Sequence, residues 1–219
     1  MRNLATHILP GMLTFWFAGM ALPANAGAAG ATKEWRFRVY LDDREVGYHH
    51  FHLTRNDTAT LLASRAEMNV TFLKIPLFSY RHENIEHWDG DCLQSINAET
   101  DENGERYRVT GHAGDDGFRV TGSAGETMLP GCISTFAYWD RSFLQHANLL
   151  NAQTGEYIDV QVDYLGEQMI GAGDTTRPAH QYRLETDDLA LELWYSQEGH
   201  WLALQSTVDG GRLLRYVIE

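Results

Sequence analysis

The sequence predicts an all-β, mainly antiparallel protein: a curved or barrel-like meander sheet of about eleven or twelve strands with one short helix. Three observations carry this. From Trp35 onward most segments alternate apolar and polar residues with period two, as a sheet with one buried face requires. Clusters of Gly, Asp and Asn punctuate those segments at short intervals. Only Trp139–Leu150 spaces its apolar residues by about one helical turn. A two-sheet β-sandwich is the alternative arrangement of the same strands.

The first element is an export signal. Arg2 supplies a positive start, and no Asp, Glu, Lys or Arg occurs from Asn3 to Thr32. Met12 to Leu22 is an apolar stretch, Pro23 breaks it, and Ala24-Asn25-Ala26 has the small-x-small pattern of a cleavage site. Cleavage is expected between Ala26 and Gly27. Pro10, Gly11, Gly19 and Pro23 leave an unbroken apolar run of only about a dozen residues, short of the roughly 20 that span a bilayer. The expected organisation is a signal peptide over 1–26 and a single β domain over 27–219, exported to the periplasm or cell envelope, with no transmembrane span in the mature chain.

The strands follow in order. Trp35, Phe37, Val39 and Leu41 alternate with Arg36, Arg38 and Tyr40, and the Asp42–Glu45 turn leads to a hairpin partner over Val46–Thr54. Two long stretches, Thr60–Phe72 and Leu77–Trp88, are expected to be separated by Pro76, which cannot donate to a central ladder. Turns at Asp89–Asp91, Asp101–Gly104 and Gly114–Gly117 bound shorter strands. Asp140 is placed to cap a short helix from Arg141 to near Asn151, with Trp139, Phe143, Ala147 and Leu150 on one face. Strands resume at Ile158–Tyr164, Gln181–Glu185, Leu189–Tyr195, Trp201–Val208 and Arg212–Ile218.

Composition restricts the partners. The formal net charge is −13, and lysine occurs only at Lys33 and Lys74. An acidic chain lacks the clustered cations that nucleic-acid backbones and anionic lipid surfaces require. Export also determines how Cys92 and Cys132 are read. In an oxidising compartment the pair is expected to form a disulfide.

No motif in the chain specifies a reaction. His50 and His52 share a strand face, but Gly47, His49, Phe51 and Leu53 occupy the face that holds the apolar side chains. The two histidines therefore point to solvent, with no third ligand in a forced position. His82-Glu83-Asn84-Ile85-Glu86-His87 misses the zinc-protease spacing by one residue. It also lies in a strand, where His82 and His87 face opposite sides. Gly122-Ser123-Ala124-Gly125 lacks the spacing of a nucleophile elbow. No metal and no cofactor is expected.

Four blocks carry a resemblance: Val39–Tyr48, Ser79–Gly90, Leu149–Gly155 and Trp194–Trp201. Together they resemble an uncharacterised family of exported bacterial β-rich proteins, of the domain-of-unknown-function kind. The resemblance covers nearly the whole mature chain. It implies a periplasmic or cell-envelope β protein and carries over no catalytic residue.

The function expected from sequence is non-catalytic binding of an apolar or lipid-like small molecule. A curled sheet must fill its inner face with side chains, a helix or a ligand. Trp139, Phe143 and Leu150 on the helix are the expected contacts to that ligand, with Trp139 near the mouth of an apolar cavity. The alternatives are a structural or interaction protein that docks a partner through a sheet edge or the helix, and an exported hydrolase.

Overall fold

The computed structural model describes residues 30–72, 75–172 and 175–219. The expected cleavage site at Ala26 and Gly27 lies outside them. Eight strands form the first half: β1 (Ala31–Leu41), β2 (Arg44–Arg55), β3 (Thr60–Phe72), β4 (Ile75–Asp89), β5 (Cys92–Glu102), β6 (Glu105–Gly114), β7 (Gly117–Gly122) and β8 (Gly125–Leu129). A short hairpin, β9 (Asn148–Leu150) and β10 (Tyr157–Asp159), lies between the halves. The second half contains β11 (Gln161–Ala172), β12 (Thr175–Glu185), β13 (Ala190–Tyr195), β14 (Trp201–Val208) and β15 (Arg212–Ile218).

All strands except the β9–β10 pair form one 13-stranded antiparallel sheet, in the order β11-β12-β13-β14-β15-β1-β2-β3-β4-β5-β6-β7-β8. Each hairpin joins neighbours, and the single long-range pairing is β15 on β1, from Phe37 opposite Ile218 to Leu41 opposite Leu214. The first and last described strands therefore meet in the middle of the sheet. Its two edges, β8 and β11, flank the connecting segment over residues 130–160. The sheet is not closed, because β8 and β11 do not pair. This is the barrel-like meander expected from the alternating pattern, and the sandwich alternative falls away.

Local chemistry explains the meander. The inner face of β1 buries Trp35, Phe37, Val39 and Leu41 while its other residues stay more exposed. Tight turns reverse the chain at Asp42, Gly90 and Asn103-Gly104, all with positive φ, which suits the twist of two-residue hairpins. On the outer face, charge alternates across strands, as in Arg65–Glu83 at 3.5 Å and Arg183–Glu192 at 3.1 Å. Exposed pairs of this kind contribute about 0–1 kcal/mol each and chiefly keep the face soluble.

Three local expectations are corrected. Pro76 does not separate two strands. It is the second residue of β4, paired with Thr71 where the register shifts, a place where its missing N–H costs no regular ladder bond. The strand expected over Ile158–Tyr164 breaks at Val160, whose N–H bonds to Ala147 O, so that β10 pairs with β9 and β11 with β12. With β8 and β9 added, the described strands number fifteen rather than eleven or twelve.

The expected helix is a single 3-10 turn, Arg141–Gln145. Asp140 does cap it, accepting from Ser142 N at 3.0 Å, but His146 is already extended. The donors that would continue a helix are taken by the hairpin and its neighbours: Leu150 N bonds to Ser134 O at 2.8 Å and Asn151 N to Glu156 O at 2.8 Å.

The 130–160 segment fills the concavity of the sheet. Ile133, Phe143, Leu149 and Leu150 join the main core with Trp88, Leu93, Phe118, Leu193 and Trp201. Its start is fastened to β5 by the Cys92–Cys132 disulfide, with Cα atoms 4.8 Å apart, and by Leu93 N bonding to Ile133 O at 2.9 Å. Its far end lies directly on β7. A Cβ at Gly122 would come within 2.3 Å of Thr154 O and 2.7 Å of Gly155 Cα, so only glycine permits this approach.

Candidate functional site

One inward-facing strand departs from the apolar rule. On β4 the buried positions are His82, Asn84, Glu86 and Trp88, whereas Ile85 between them is 47% exposed. Period two forces this choice: once Trp88 is packed into the core, every second residue before it must also face inward. Three polar side chains are thereby committed to the interior. As expected, His82 and His87 lie on opposite faces, and so do His49 and His50.

His82, Asn84 and Glu86 form one wall of a cavity of about 880 Å³. His49 and Phe51 of β2, Leu62 and Ser64 of β3, and Tyr80 of β4 continue that wall. Thr135, Phe136, Tyr138 and Trp139 of the filling segment face it, with Tyr216 of β15. The β9–β10 loop and the β12–β13 turn supply a rim that includes the exposed carboxylates Glu156, Asp159, Asp187 and Asp188.

The wall is a hydrogen-bonded network. Glu86 is 1% exposed and accepts from Asn84 Nδ2 at 2.8 Å and from Trp88 Nε1 at 3.0 Å. Burial pushes its carboxyl upward from the ordinary range, against these bonds and one from Thr135. His82 Nδ1 is 2.9 Å from Thr100 Oγ1, and burial holds its pKa down to about 4. His49 stacks on Phe51 with ring centroids 4.0 Å apart, and its Nδ1 is 3.4 Å from the Tyr216 hydroxyl. Burial, helped by His82 and His50 nearby, holds the His49 pKa well below the usual imidazole value. The phenols of Tyr80, Tyr138 and Tyr216 are raised, first by burial and then by neighbouring groups: Glu102 beside Tyr80, Tyr80 beside Tyr138, and Tyr80 and Tyr138 beside Tyr216. Tyr80 OH donates to Gln153 Oε1 at 3.3 Å, which ties the wall to the β9–β10 loop.

Three buried side-chain atoms of residues in this wall have no partner among the described residues: His49 Nε2, Asn84 Oδ1 and Trp139 Nε1. Ser64 lines the same cavity as both histidines but bonds to neither, and His82 is engaged by Thr100. No nucleophile–base pair is assembled there among the described residues. Nor do the described residues place three His, Cys, Asp or Glu side chains where they would hold a metal ion.

Of the residues expected to touch a ligand, Trp139 lines the cavity, 6% exposed and edge-on to Trp88 at 5.6 Å. Phe143 and Leu150 do not line it. They are fully buried behind it, where Phe143 meets Tyr138 edge-on at 5.7 Å. The reason is the missing helix: once the chain turns into β9, Leu150 no longer shares a face with Trp139. The expectation of an apolar lining is corrected as well, since His49, His82, Asn84 and Glu86 are part of the wall. Sequence reasoning passed over Asn84 and Glu86 as fragments of a failed zinc motif. The usable signal was their two-residue phase with Trp88.

The fold and cavity together define the chain as an open, barrel-like β protein with a filled concavity and a polar-walled cavity beside the filling segment. It belongs to the family described as domain of unknown function (DUF6134), whose model matches residues 37–219. The solved structure of a beta-barrel-like protein of domain of unknown function DUF1849 from Brucella abortus is similar in fold, with a TM-score of 0.63 at 10% identity. The match covers 87% of this chain and 96% of that one. No curated protein matches the sequence. The expected resemblance to an uncharacterised β-rich family is thus established. Among the described residues no helix is long and apolar enough to cross a membrane.

Proposed function

We propose that this chain is an exported, non-catalytic binding protein of the cell envelope that holds a small amphiphilic molecule in the cavity beside Trp139. The observation that carries the reading is the cavity of about 880 Å³, whose lining mixes the polar side chains of His49, Ser64, His82 and Asn84 with aromatic rings. A ligand that combines polar groups with an apolar body suits such a lining. Phe51, Phe136, Trp139 and Tyr157 offer that ligand an apolar body contact.

Native mass spectrometry of the protein purified from its own envelope fraction tests this. A retained mass that is released on unfolding, and weakened in Trp139→Ala, is the expected result. An empty protein that also takes up no amphiphile added back to it would overturn the reading.

A second reading, docking through a sheet edge, has its own supporting observation. Edge strand β11 leaves Tyr164, Leu165 and Met169 54%, 44% and 61% exposed. Unpaired strands of this kind template pairing with another chain. Sedimentation of wild type against Met169→Lys tests it: concentration-dependent association that the variant abolishes supports docking, and a monomer in both opposes it.

A further inference from the structure

Strand register divides the lining of the cavity. Three consecutive inward positions of β4, His82, Asn84 and Glu86, are polar, and β3 sets Ser64 directly beside Asn84. His49 of β2 stands in the same cross-strand row as His82, with Ala66 between them. The sheet thus supplies a contiguous polar patch, in which Ser64 keeps 8% of its surface accessible. The filling segment supplies rings instead: Phe136, Tyr138 and Trp139, of which Phe136 and Tyr138 stay half-buried. A molecule that fits this lining needs polar groups on one side and carbon on the other.

The patch is polar without presenting a free charge. No Lys or Arg lines the cavity. Glu86 is the carboxyl of the patch, and both of its oxygens are engaged, Oε1 by Asn84 Nδ2 at 2.8 Å and Oε2 by Trp88 Nε1 at 3.0 Å. Burial keeps His49 and His82 neutral near pH 7. The other lining carboxylates, Glu156, Asp159, Asp187 and Asp188, are exposed at the rim, where water and salt screen them. An anion inside the cavity would meet no counter-charge, and a cation would meet no free carboxylate beyond the rim, so either would lose hydration without compensation. A hydrocarbon alone would strip the patch of water and return no hydrogen bond.

Resting on the binding function proposed above, we infer that the polar part of the ligand is a neutral saccharide, whose hydroxyls lie along the β3–β4 patch at Ser64 and whose C–H face lies on the rings of the filling segment. A sugar ring has this divided surface: hydroxyls around its edge both donate and accept, and its C–H faces pack on aromatic rings. The cavity, at about 880 Å³, falls within the roughly 300–1,000 Å³ of small-ligand pockets and so takes a short saccharide with a tail rather than a long glycan.

The test uses three probes that share one tail: octyl glucoside, octanoate and octylammonium, each below its micelle-forming concentration, titrated at neutral pH into the purified protein and read by calorimetry. Octyl glucoside is expected to bind roughly tenfold or more tighter than either ion. Ser64→Ala removes a hydroxyl from the patch with little change in volume, and should narrow that preference about threefold while the protein melts near wild type. Asp187→Asn combined with Asp188→Asn, both at exposed positions, should leave the preference in place, because the rim does not select the ligand. Octanoate or octylammonium binding as tightly as octyl glucoside would overturn the saccharide inference and leave the binding function standing. An unchanged preference in Ser64→Ala, or one abolished by the paired Asp substitutions, would overturn it too. Failure of all three probes to bind would instead remove the binding function on which it rests.

Discussion

Asn84 donates its amide Nδ2 to Glu86 Oε1 at 2.8 Å, two residues along the same strand, while its own buried Oδ1 has no partner among the described residues. Replacing Glu86 by Gln should keep the shape and remove the carboxyl that burial disfavours. The sign follows from linkage. A carboxyl whose folded pKa is raised contributes stability fully present below its unfolded value of about 4.5, and loses it as pH rises through the folded value. Gln keeps one acceptor oxygen where Glu86 uses two, for Asn84 Nδ2 and Trp88 Nε1, so one buried donor loses its partner at either pH. Relative to wild type, Glu86→Gln is therefore expected to be more favourable at neutral pH than near pH 4. Urea unfolding at the two pH values checks this, and a relative stability that is unchanged or lower at neutral pH would contradict it.

His82 works in the opposite direction. Its folded pKa is about 4, against 6.5 unfolded, so the unfolded chain binds a proton first as pH falls. Stability from this group is present above about pH 6.5 and is lost on descending through 4, at up to about 1.4 kcal/mol per pH unit. Wild type should weaken more than His82→Gln over that interval. Parallel denaturant curves at pH 7 and pH 4.5 measure the difference, and an equal loss in both proteins would refute it.

The Cys92–Cys132 bridge closes a loop of 40 residues and holds the start of the filling segment to β5. The chain-entropy argument assigns such a loop about 4 kcal/mol. Cys92→Ser with Cys132→Ser should lower stability by a comparable amount and expose residues 130–160 to proteolysis first. Limited digestion with mass mapping shows where the cuts fall.

At the other end of that segment, Gly122→Ala would place a Cβ 2.3 Å from the backbone oxygen of Thr154. The obstructing atoms belong to the backbone, so the loop must shift as a unit, at a cost of about 1–3 kcal/mol. Thermal melts of Gly122→Ala should show that loss. Gly131→Ala, with nothing within 4 Å of the added atom, should melt near wild type.

Much of this architecture was legible because burial writes period two into the sequence. Trp35 to Leu41 in β1 follow it without exception, and the disulfide was expected from the export reading of the N-terminal segment. The helix failed for a physical reason. Trp139, Phe143 and Leu150 do have helical spacing, but all three are buried by a 3-10 turn and a hairpin whose donors bond to Ser134, Glu156 and Ala147, partners far from a helix's own i−4 carbonyls. Spacing reports burial, and several backbone paths bury the same residues. The cavity was expected, but its polar wall was missed because polar residues were assigned to solvent by type. Glu86 at 1% exposure and Ile85 at 47% reverse that assignment. Only the phase set by Trp88 distinguishes the two faces.

That phase leads to Trp139. Its indole Nε1 is buried without a partner among the described residues, at a cost of about 1–3 kcal/mol. Trp139→Phe removes the donor and that penalty, while the smaller ring gives up part of the edge contact with Trp88. The two terms oppose each other and are similar in size, so thermal stability should stay within about 1 kcal/mol of wild type. Trp139→Ala removes the contact altogether and should cost about 3–5 kcal/mol. The separation matters for ligand retention. Uptake that falls in Trp139→Phe at unchanged stability assigns the indole N–H to the ligand. Uptake unchanged in Trp139→Phe and lost only in Trp139→Ala assigns the residue to packing alone. Native mass spectrometry beside a thermal melt of each variant distinguishes the two.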